Sequence, residues 1–394
     1  MHSGSPVLPK SVANGSEWRG KIPRELLYTI LEMDQASLVR LFRNWSNVEA
    51  VANLSPLYGV LGNFVADSEE LLDLANEALP GQPPPNILFA AVHALLAGLH
   101  DEPLRDFYAT LGGSRPAEPS VGAQFLDFCR RHRAELLPII GTRLTQTNEV
   151  RRSSLLLPAF AEIAAEARKP LALFEIGPSA GLNLNFDRYH YRYGAAAAGD
   201  PDSILTLECE PRGTMPAVRV PEVAWRLGMD INPLDVSKPE DLAWLRALVW
   251  PEHTDRLALL NAALRIARDC PPPVEKGDIL ETLPEAVARA PSNAAFCVFA
   301  TFVLHQLSAE LRVQLQQLLL ELSRTRPIHM VVIGGSMFVE AGSQRAGDEQ
   351  VWLLRLRDGA GDYRVSAIAN PHGRWIDCQP DSPWKPWLPA VQNS

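Results

Sequence analysis

The chain has 394 residues, of which 46 % are hydrophobic and 21 % are charged. This composition excludes a wholly disordered or collagen-like chain, and the length favours two domains. Lys and Arg number 37 against 46 Asp and Glu, and the resulting net charge of −9 argues against a protein that binds long stretches of nucleic acid. The longest apolar stretch, 87–99, is too short to span a membrane. We therefore expect a small-molecule substrate and neither a nucleic-acid nor a membrane partner.

The cysteines and the first residues indicate a cytoplasmic protein without a metal centre. The five cysteines are scattered and form no Cys-x-x-Cys pair, so we expect reduced thiols and neither a disulfide framework nor a zinc site. The nine histidines form no metal-binding motif. Residues 1–22 are rich in Ser, Gly and Pro and lack an apolar core, which predicts a flexible tail instead of a secretory signal.

The chain divides into a helical part and an α/β part. Between residues 23 and 167, apolar residues recur at three- and four-residue spacing, which predicts an all-helical N-terminal domain. From 168 to 394, short apolar runs alternate with helical segments, which predicts a Rossmann-like, doubly wound and mostly parallel sheet. The predicted strands are 171–176, 204–210, 223–231, 294–301, 329–335, 351–358 and 363–369. Only a turn separates the last two, so we expect an antiparallel edge at the C-terminal end.

The most informative segment is FEIGPSAGLNLN, residues 174–185, in which an apolar strand leads into a loop of small residues and then a helix. Small residues let the backbone turn sharply and approach a ligand closely. The loop GPSAG, 177–181, fits the G-x-S-x-G pattern of a nucleophile elbow, with Ser179 as the nucleophile of a serine hydrolase. The candidate bases are His305, His329 and His372. The pattern is short and no HGGG-type oxyanion loop precedes it, so this interpretation is the alternative.

The second interpretation is a loop that binds a nucleoside cofactor. Glu175 ends the first strand, and Gly177 and Gly181 follow it. Asp230 ends the next strand of the pattern, where a carboxylate can accept hydrogen bonds from both ribose hydroxyls. Asp278 follows a further short strand, in a position to meet the adenine edge. Because ligands bind at the carboxyl ends of parallel strands in open α/β sheets, we expect these residues to line one crevice.

Several motifs, taken in chain order, resemble those of known proteins. The stretches are EIGPSAG (175–181), GMDINP (228–233), GDILETLP (277–284) and ATFVLHQLS (300–308). Together they resemble the class I S-adenosylmethionine-dependent methyltransferases over about residues 168–394. EIGPSAGLNLNFDRYHYRYG and QTNEVRRSSLLLPA also resemble an uncharacterised bacterial family that is grouped with the methyltransferases.

The resemblance implies S-adenosylmethionine as the cofactor. The residues implied for cofactor binding are Glu175, Gly177, Ser179, Gly181, Asp230, Asp278 and Thr301. Ser179 departs from the family pattern because it replaces a glycine, and an insert, 187–221, separates the first helix from the second strand. NAD is the neighbouring alternative, but Ser179 and Leu182 occupy the second and third glycine positions of its G-x-G-x-x-G loop.

Methyl transfer requires an acceptor held in line with the cofactor, and a base only where the acceptor atom carries a proton. The candidate catalytic residues are His305, which follows the fourth strand, and Glu149. The candidates for acceptor binding are Gln146, Asn148 and Arg151. The structural alternative for 146–152 is helix capping by Thr147 or Asn148 and an ion pair of Arg151 with Glu149 or another acid.

We therefore predict a methyltransferase that acts on a small or medium-sized acceptor, with the helical domain covering the acceptor site. A serine hydrolase and a non-catalytic cofactor-binding protein are the alternatives.

Overall fold

A computed structural model describes residues 34–334 and 349–387, so the predicted tail lies outside the described residues. The described chain is a mixed α/β structure with a mostly parallel sheet. In these two ranges, no helix has both the length and the apolar character that a membrane span requires.

Up to residue 167 the described chain consists of helices and turns, without a strand. The α-helices are α1 (Gln35–Asn44), α2 (Ala50–Ala52), α3 (Pro56–Ala66), α4 (Glu69–Ala75), α5 (Pro84–Ala97), α6 (Val121–Arg131), α7 (Arg133–Ile140) and α8 (Ser153–Ala167). Local sequence sets the helix starts: the Ser68 side chain accepts a hydrogen bond from Leu71 N in α4, and Pro84 opens α5. The long apolar stretch falls within the buried helix α5 and the turn after it.

Within the described residues, the main sheet has ten strands and follows the doubly wound pattern. Its strands are β1 (Leu171–Ile176), β5 (Glu210–Pro211), β6 (Val223–Asp230), β7 (Val274–Lys276), β8 (Ala295–Thr301), β9 (Ile328–Ile333), β10 (Glu349–Arg357), β11 (Ala360–Ala369), β12 (Trp375–Cys378) and β13 (Lys385–Pro386). The parallel strands lie in the order β7-β6-β1-β8-β9, and β10 and β11 continue the sheet antiparallel, as the sequence predicts. Counted along the chain this is the Rossmann order 3-2-1-4-5, whose direction reverses between β1 and β8.

The connection between β1 and β6 differs from the prediction. The helix predicted after the glycine loop is a short 3-10 helix, Leu182–Arg188, in which Asn185 leaves the helical conformation. The predicted insert then forms β2 (His190–Tyr193), β3 (Ala196–Gly199) and β4 (Thr206–Glu208), which make a separate small sheet. The strand predicted over 204–210 is therefore divided: Thr206–Glu208 lies in the small sheet, and Glu210 begins β5, which pairs with β12 at the edge of the main sheet.

Hydrophobic clusters cover both faces of the sheet. The remaining helices are α9 (Pro239–Ala247), α10 (Thr254–Asp269), α11 (Ile279–Arg289) and α12 (Ala309–Ser323). Leu171 and Leu173 of β1 share one cluster with buried side chains of the N-terminal helices and of α9 and α10. Phe174 belongs to the cluster on the other face, with α11 and α12. The described helices of the N-terminal part thus share a core with the sheet. A separate helical domain over 23–167 stays a prediction.

Candidate functional site

The glycine loop between β1 and the 3-10 helix is tightly constrained. Gly177, Ser179 and Gly181 all have positive φ angles, of +64°, +56° and +72°. A Cβ on Gly177 would lie 2.5 Å from Cγ2 of Val303, so this position requires glycine both for its backbone and for its space. The loop therefore packs closely against the segment that follows β8, at the point where the strand order reverses.

Asp230 ties the end of β6 to this loop. Its Oδ2 accepts a hydrogen bond from Ser179 N at 2.8 Å, and its Oδ1 accepts one from Asn232 N at 2.8 Å. Burial raises the pKa of the Asp230 carboxyl group, while these two backbone hydrogen bonds act in the opposite direction. Asp230 is thus beside the glycine loop, as predicted, and already supports its backbone.

The segment Thr145–Asn148, which we call the strap, lies across the glycine loop. Asn148 Nδ2 donates to Pro178 O at 2.9 Å, and Leu182 N donates to Asn148 Oδ1 at 3.1 Å. Gln146 Nε2 donates to Asn232 O at 2.7 Å and to Asp230 Oδ1 at 3.3 Å. Gln146 and Asn148 therefore contact the predicted cofactor loop itself.

Glu175 is buried at the end of β1, on the face that carries the N-terminal helices. Its Oε2 has no hydrogen-bond partner among the described residues. Burial raises the pKa of the carboxyl group to about 8; a hydrogen bond from Asn183 lowers it, and the charge of Asp230 raises it further. Glu175 is therefore protonated at neutral pH.

Glu149 belongs to a buried ionic cluster next to the strap. Its Oε2 lies 2.6 Å from Arg256 Nε and 3.7 Å from His372 Nδ1. Burial opposes its ionisation, but the charge of Arg256, together with His372 and Arg152, holds the pKa of Glu149 well below its usual range. Glu149 is thus an ionised partner of Arg256. A carboxylate with so low a pKa is a poor proton acceptor.

The two arginines that follow Glu149 have different surroundings. Arg151 forms an ion pair with Asp255, at 3.2 Å, as the structural alternative for this stretch predicts. Arg152 is buried, and its guanidinium carbon lies 4.0 Å from the ring centroid of Phe302. Arg152 belongs to the polar stretch 146–152, but the sequence did not single it out as a site residue.

The carboxyl end of β8 carries two of the predicted residues. Thr301 is the last residue of the strand and is half-buried. Phe302 follows with a φ angle of +54°, a strained conformation for a non-glycine residue. His305 lies on a short 3-10 turn and is partly exposed. Desolvation of its ring and the charges of Arg152 and Arg312 lower its pKa. His305 is therefore neutral at neutral pH, the state that can accept a proton.

Asp278 caps a helix. It directly precedes α11, and its Oδ1 accepts a hydrogen bond from Leu280 N at 2.7 Å. Gly277 N donates to Asp230 O at 3.1 Å, so Asp278 also lies near the end of β6. The carboxylate predicted to meet adenine thus has a structural role as a helix cap.

Ser179 lies on a strained turn between a strand and a helix, as a nucleophile elbow requires. Its Oγ, however, donates to the main-chain carbonyl of Gln146 at 3.0 Å, and the side chain is buried. No hydrogen bond joins Ser179 to a histidine in the part of the chain that the structure describes. The elbow therefore lacks a positioned base.

Two small cavities lie around the strap. One is lined by Thr145, Thr147 and an aromatic group, Trp45, Tyr58 and Trp250. The other borders Asn148, Glu149 and Arg256. Each has room for about one water molecule. Among residues 34–334 and 349–387, no three His, Cys, Asp or Glu side chains come together as a metal site.

A comparison with known protein families matches most of the chain. The model of a family described as "Uncharacterized protein conserved in bacteria (DUF2332)" matches residues 40–378. No curated protein matches the chain. Among solved structures, a sugar N-methyltransferase from a Streptoalloteichus species is 9 % identical, with a TM-score of 0.21, over 67 % of this chain and 77 % of that one. A likeness this low does not establish a shared fold.

Proposed function

The chain belongs to this bacterial family, and we propose that it is an S-adenosylmethionine-dependent methyltransferase with a small or medium-sized acceptor. One observation carries the proposal: a glycine loop with positive φ angles follows β1 at the point where the strand order reverses, with Asp230 at the end of the next strand. Open α/β sheets bind their ligands at this crevice.

The chemistry of the donor set fits a nucleoside. Asp230 presents acceptor oxygens at the loop, and one of its hydrogen bonds, from Gln146 at 3.3 Å, is long enough for a ribose hydroxyl to replace it. We assign Gly177 and Gly181 to the loop that borders the methionine part. Glu175, Ser179, Asp278 and Thr301 complete the proposed cofactor site.

The cofactor supplies an activated methyl group on a sulfonium when it is bound. The chain's own residues then have to hold the acceptor in line and exclude water. Neutral His305, beside the end of β8, is the proposed base for an acceptor that carries a proton. Glu149 pairs with Arg256 and Arg151 pairs with Asp255, so we assign to both residues a structural role next to the strap.

Calorimetric titration with S-adenosylmethionine and S-adenosylhomocysteine tests the proposal. We expect saturable binding by the wild-type protein and at least a tenfold loss in Asp230→Asn, which keeps the size of the side chain but removes its charge. Asp235→Asn is the matched control, since this carboxylate also follows β6 but is more exposed. No saturable binding by folded protein at millimolar ligand would refute the proposal.

A serine hydrolase is the second candidate, favoured by the positive φ angle of Ser179 within G-x-S-x-G. Ser179→Ala distinguishes the two functions. If the protein is a serine hydrolase, the wild-type protein hydrolyses a p-nitrophenyl ester and Ser179→Ala does not. If it is a methyltransferase, we expect no hydrolysis by the wild-type protein. Cofactor binding without transfer to any acceptor would instead support the non-catalytic alternative.

A further inference from the structure

The strap has two different faces. The side chains of Gln146 and Asn148 contact the glycine loop and the end of β6, while Thr145 and Thr147 line the aromatic cavity on the other side. This alternation is that of an extended chain, whose successive side chains point in opposite directions. The strap therefore separates the glycine loop from the N-terminal helices.

The face of the strap that points towards the loop forms hydrogen bonds with polar groups that a ligand would otherwise contact. Leu182 N, a main-chain donor of the loop, is hydrogen-bonded to Asn148 Oδ1. Pro178 O accepts from Asn148 Nδ2, and the Ser179 hydroxyl donates to Gln146 O. In addition, Gln146 Nε2 lies at Oδ1 of Asp230. Side-chain and main-chain amide groups of the strap thus form hydrogen bonds with the polar groups of the loop.

Hydrogen bonds hold the side chains of Gln146 and Asn148 in the strap. None of the four residues from Thr145 to Asn148 is fully buried, and none belongs to a regular helix or strand. Both ends are anchored: Leu144 O accepts a hydrogen bond from Trp244 Nε1 at 2.9 Å, and Glu149 pairs with Arg256. A segment with fixed ends and few buried apolar contacts opens at low cost.

We propose that the strap occupies the nucleoside site in this structure and leaves it when the cofactor binds. The inference rests on the proposed function and concerns the regulation of the same site. Hydrogen bonds from the ligand replace those of Gln146 and Asn148. The apparent affinity for the cofactor is then reduced by the fraction of molecules in which the strap is closed.

Hydrogen exchange on the wild-type protein tests the movement directly. S-adenosylhomocysteine is added, and exchange is followed in peptides that cover 144–149 and 177–184. We expect faster exchange in the strap, while the loop amides of Ser179 and Leu182 stay protected. Slower exchange in the strap would overturn the inference, because the strap would then be a clamp that closes on the ligand.

Variants of the strap test the competition. Asn148→Ala is expected to bind S-adenosylhomocysteine about tenfold more tightly in calorimetry, because the closed form is weakened. Gln146→Ala is expected to act in the same direction and serves if Asn148→Ala does not fold. Thr147→Ala is the matched control, since Thr147 borders both small cavities and its side chain makes no hydrogen bond to the glycine loop among the described residues. The affinity of this variant should not change.

The outcomes separate the two hypotheses. Unchanged or weaker binding by Asn148→Ala and Gln146→Ala, with binding by the wild-type protein, overturns the strap inference and leaves the proposed function standing. No binding by the wild-type protein or by any variant overturns the proposed function and the strap inference with it.

Discussion

Glu175 and Glu149 are both buried acids near the strand ends, but their surroundings act in opposite ways. Oε2 of Glu175 has no hydrogen-bond partner among the described residues, and burial raises its pKa to about 8. Glu149 lies 2.6 Å from Arg256, and its pKa is held low despite burial. One acid is therefore neutral and the other charged at the same pH, because only one has a buried cation beside it.

The raised pKa of Glu175 predicts a pH dependence of stability. The folded protein holds this proton up to about pH 8, whereas the unfolded chain releases it near pH 4.5, so the free energy of unfolding falls as the pH rises through this window. Glu175→Gln lacks this titrating group. Between about pH 6 and pH 9, its free energy of unfolding should therefore fall by about 2 kcal/mol less than that of the wild-type protein. Urea unfolding at the two pH values measures this difference, and parallel pH profiles would contradict it.

The ion pair of Glu149 and Arg256 predicts a large loss on removal of one partner. Glu149→Gln leaves the buried guanidinium without its counter-charge, so we expect a loss of about 3 kcal/mol in the free energy of unfolding. The double variant Glu149→Gln/Arg256→Met should recover part of this loss. Glu208→Gln is the control, because Glu208 pairs with Arg192 at the surface and should have little effect. A double variant that is no more stable than Glu149→Gln would contradict the prediction.

At the scale of elements, the ends of β1, β6, β7 and β8 combine support of the fold with the proposed binding. Asp230 fixes the glycine loop, Asp278 caps α11, and Phe302 passes through a strained conformation against Arg152. Because a capping carboxylate has further lone pairs, a structural contact does not prevent it from also binding a ligand.

Substitutions at Asp278 distinguish its role as a helix cap from its proposed contact with adenine. Asp278→Ala removes the cap of α11 and should cost about 1 kcal/mol of stability, whereas Asp278→Ser keeps a capping oxygen and should restore most of it. If the carboxylate also contacts the adenine edge, Asp278→Ser should still bind S-adenosylhomocysteine less tightly than the wild-type protein. Thermal unfolding and calorimetry measure the two effects. If Asp278→Ser binds with wild-type affinity, the role of Asp278 is limited to capping α11.

At the scale of the whole molecule, the helices and the sheet share one hydrophobic cluster. Buried side chains from Leu38 of α1 to Ile163 of α8 lie in the same cluster as Leu171 of β1 and Val331 of β9. Separating the N-terminal helices from the sheet would expose this apolar surface to water.

The shared core predicts that the two parts unfold together. We expect a single transition in urea, with coincident curves from far-UV circular dichroism and tryptophan fluorescence. A chain that begins at residue 168 should accordingly fail to fold by itself. Two separated transitions would instead support the independent domains predicted from the sequence.

The sequence by itself determined the elements that depend on local pattern. The predicted strand 171–176 is observed as Leu171–Ile176, and the antiparallel hairpin of β10 and β11 follows from two apolar runs with a turn between them. The glycine loop can also be recognised from local sequence, because the positive φ angles at positions 177 and 181 favour glycine. A helix also follows this loop, but it is a short 3-10 helix in which Asn185 leaves the helical conformation.

The tertiary structure alone decided which polar groups meet. Glu149 pairs with Arg256 and His372, and Asn148 bonds to the loop at Pro178 and Leu182, although no spacing in the chain links these residues. Periodicity reports which side of one element is apolar, and it carries no information about which distant side chain lies opposite. The strap over the glycine loop became visible only when the fold brought these segments together, because a hydrogen bond depends on distance in space and not along the chain.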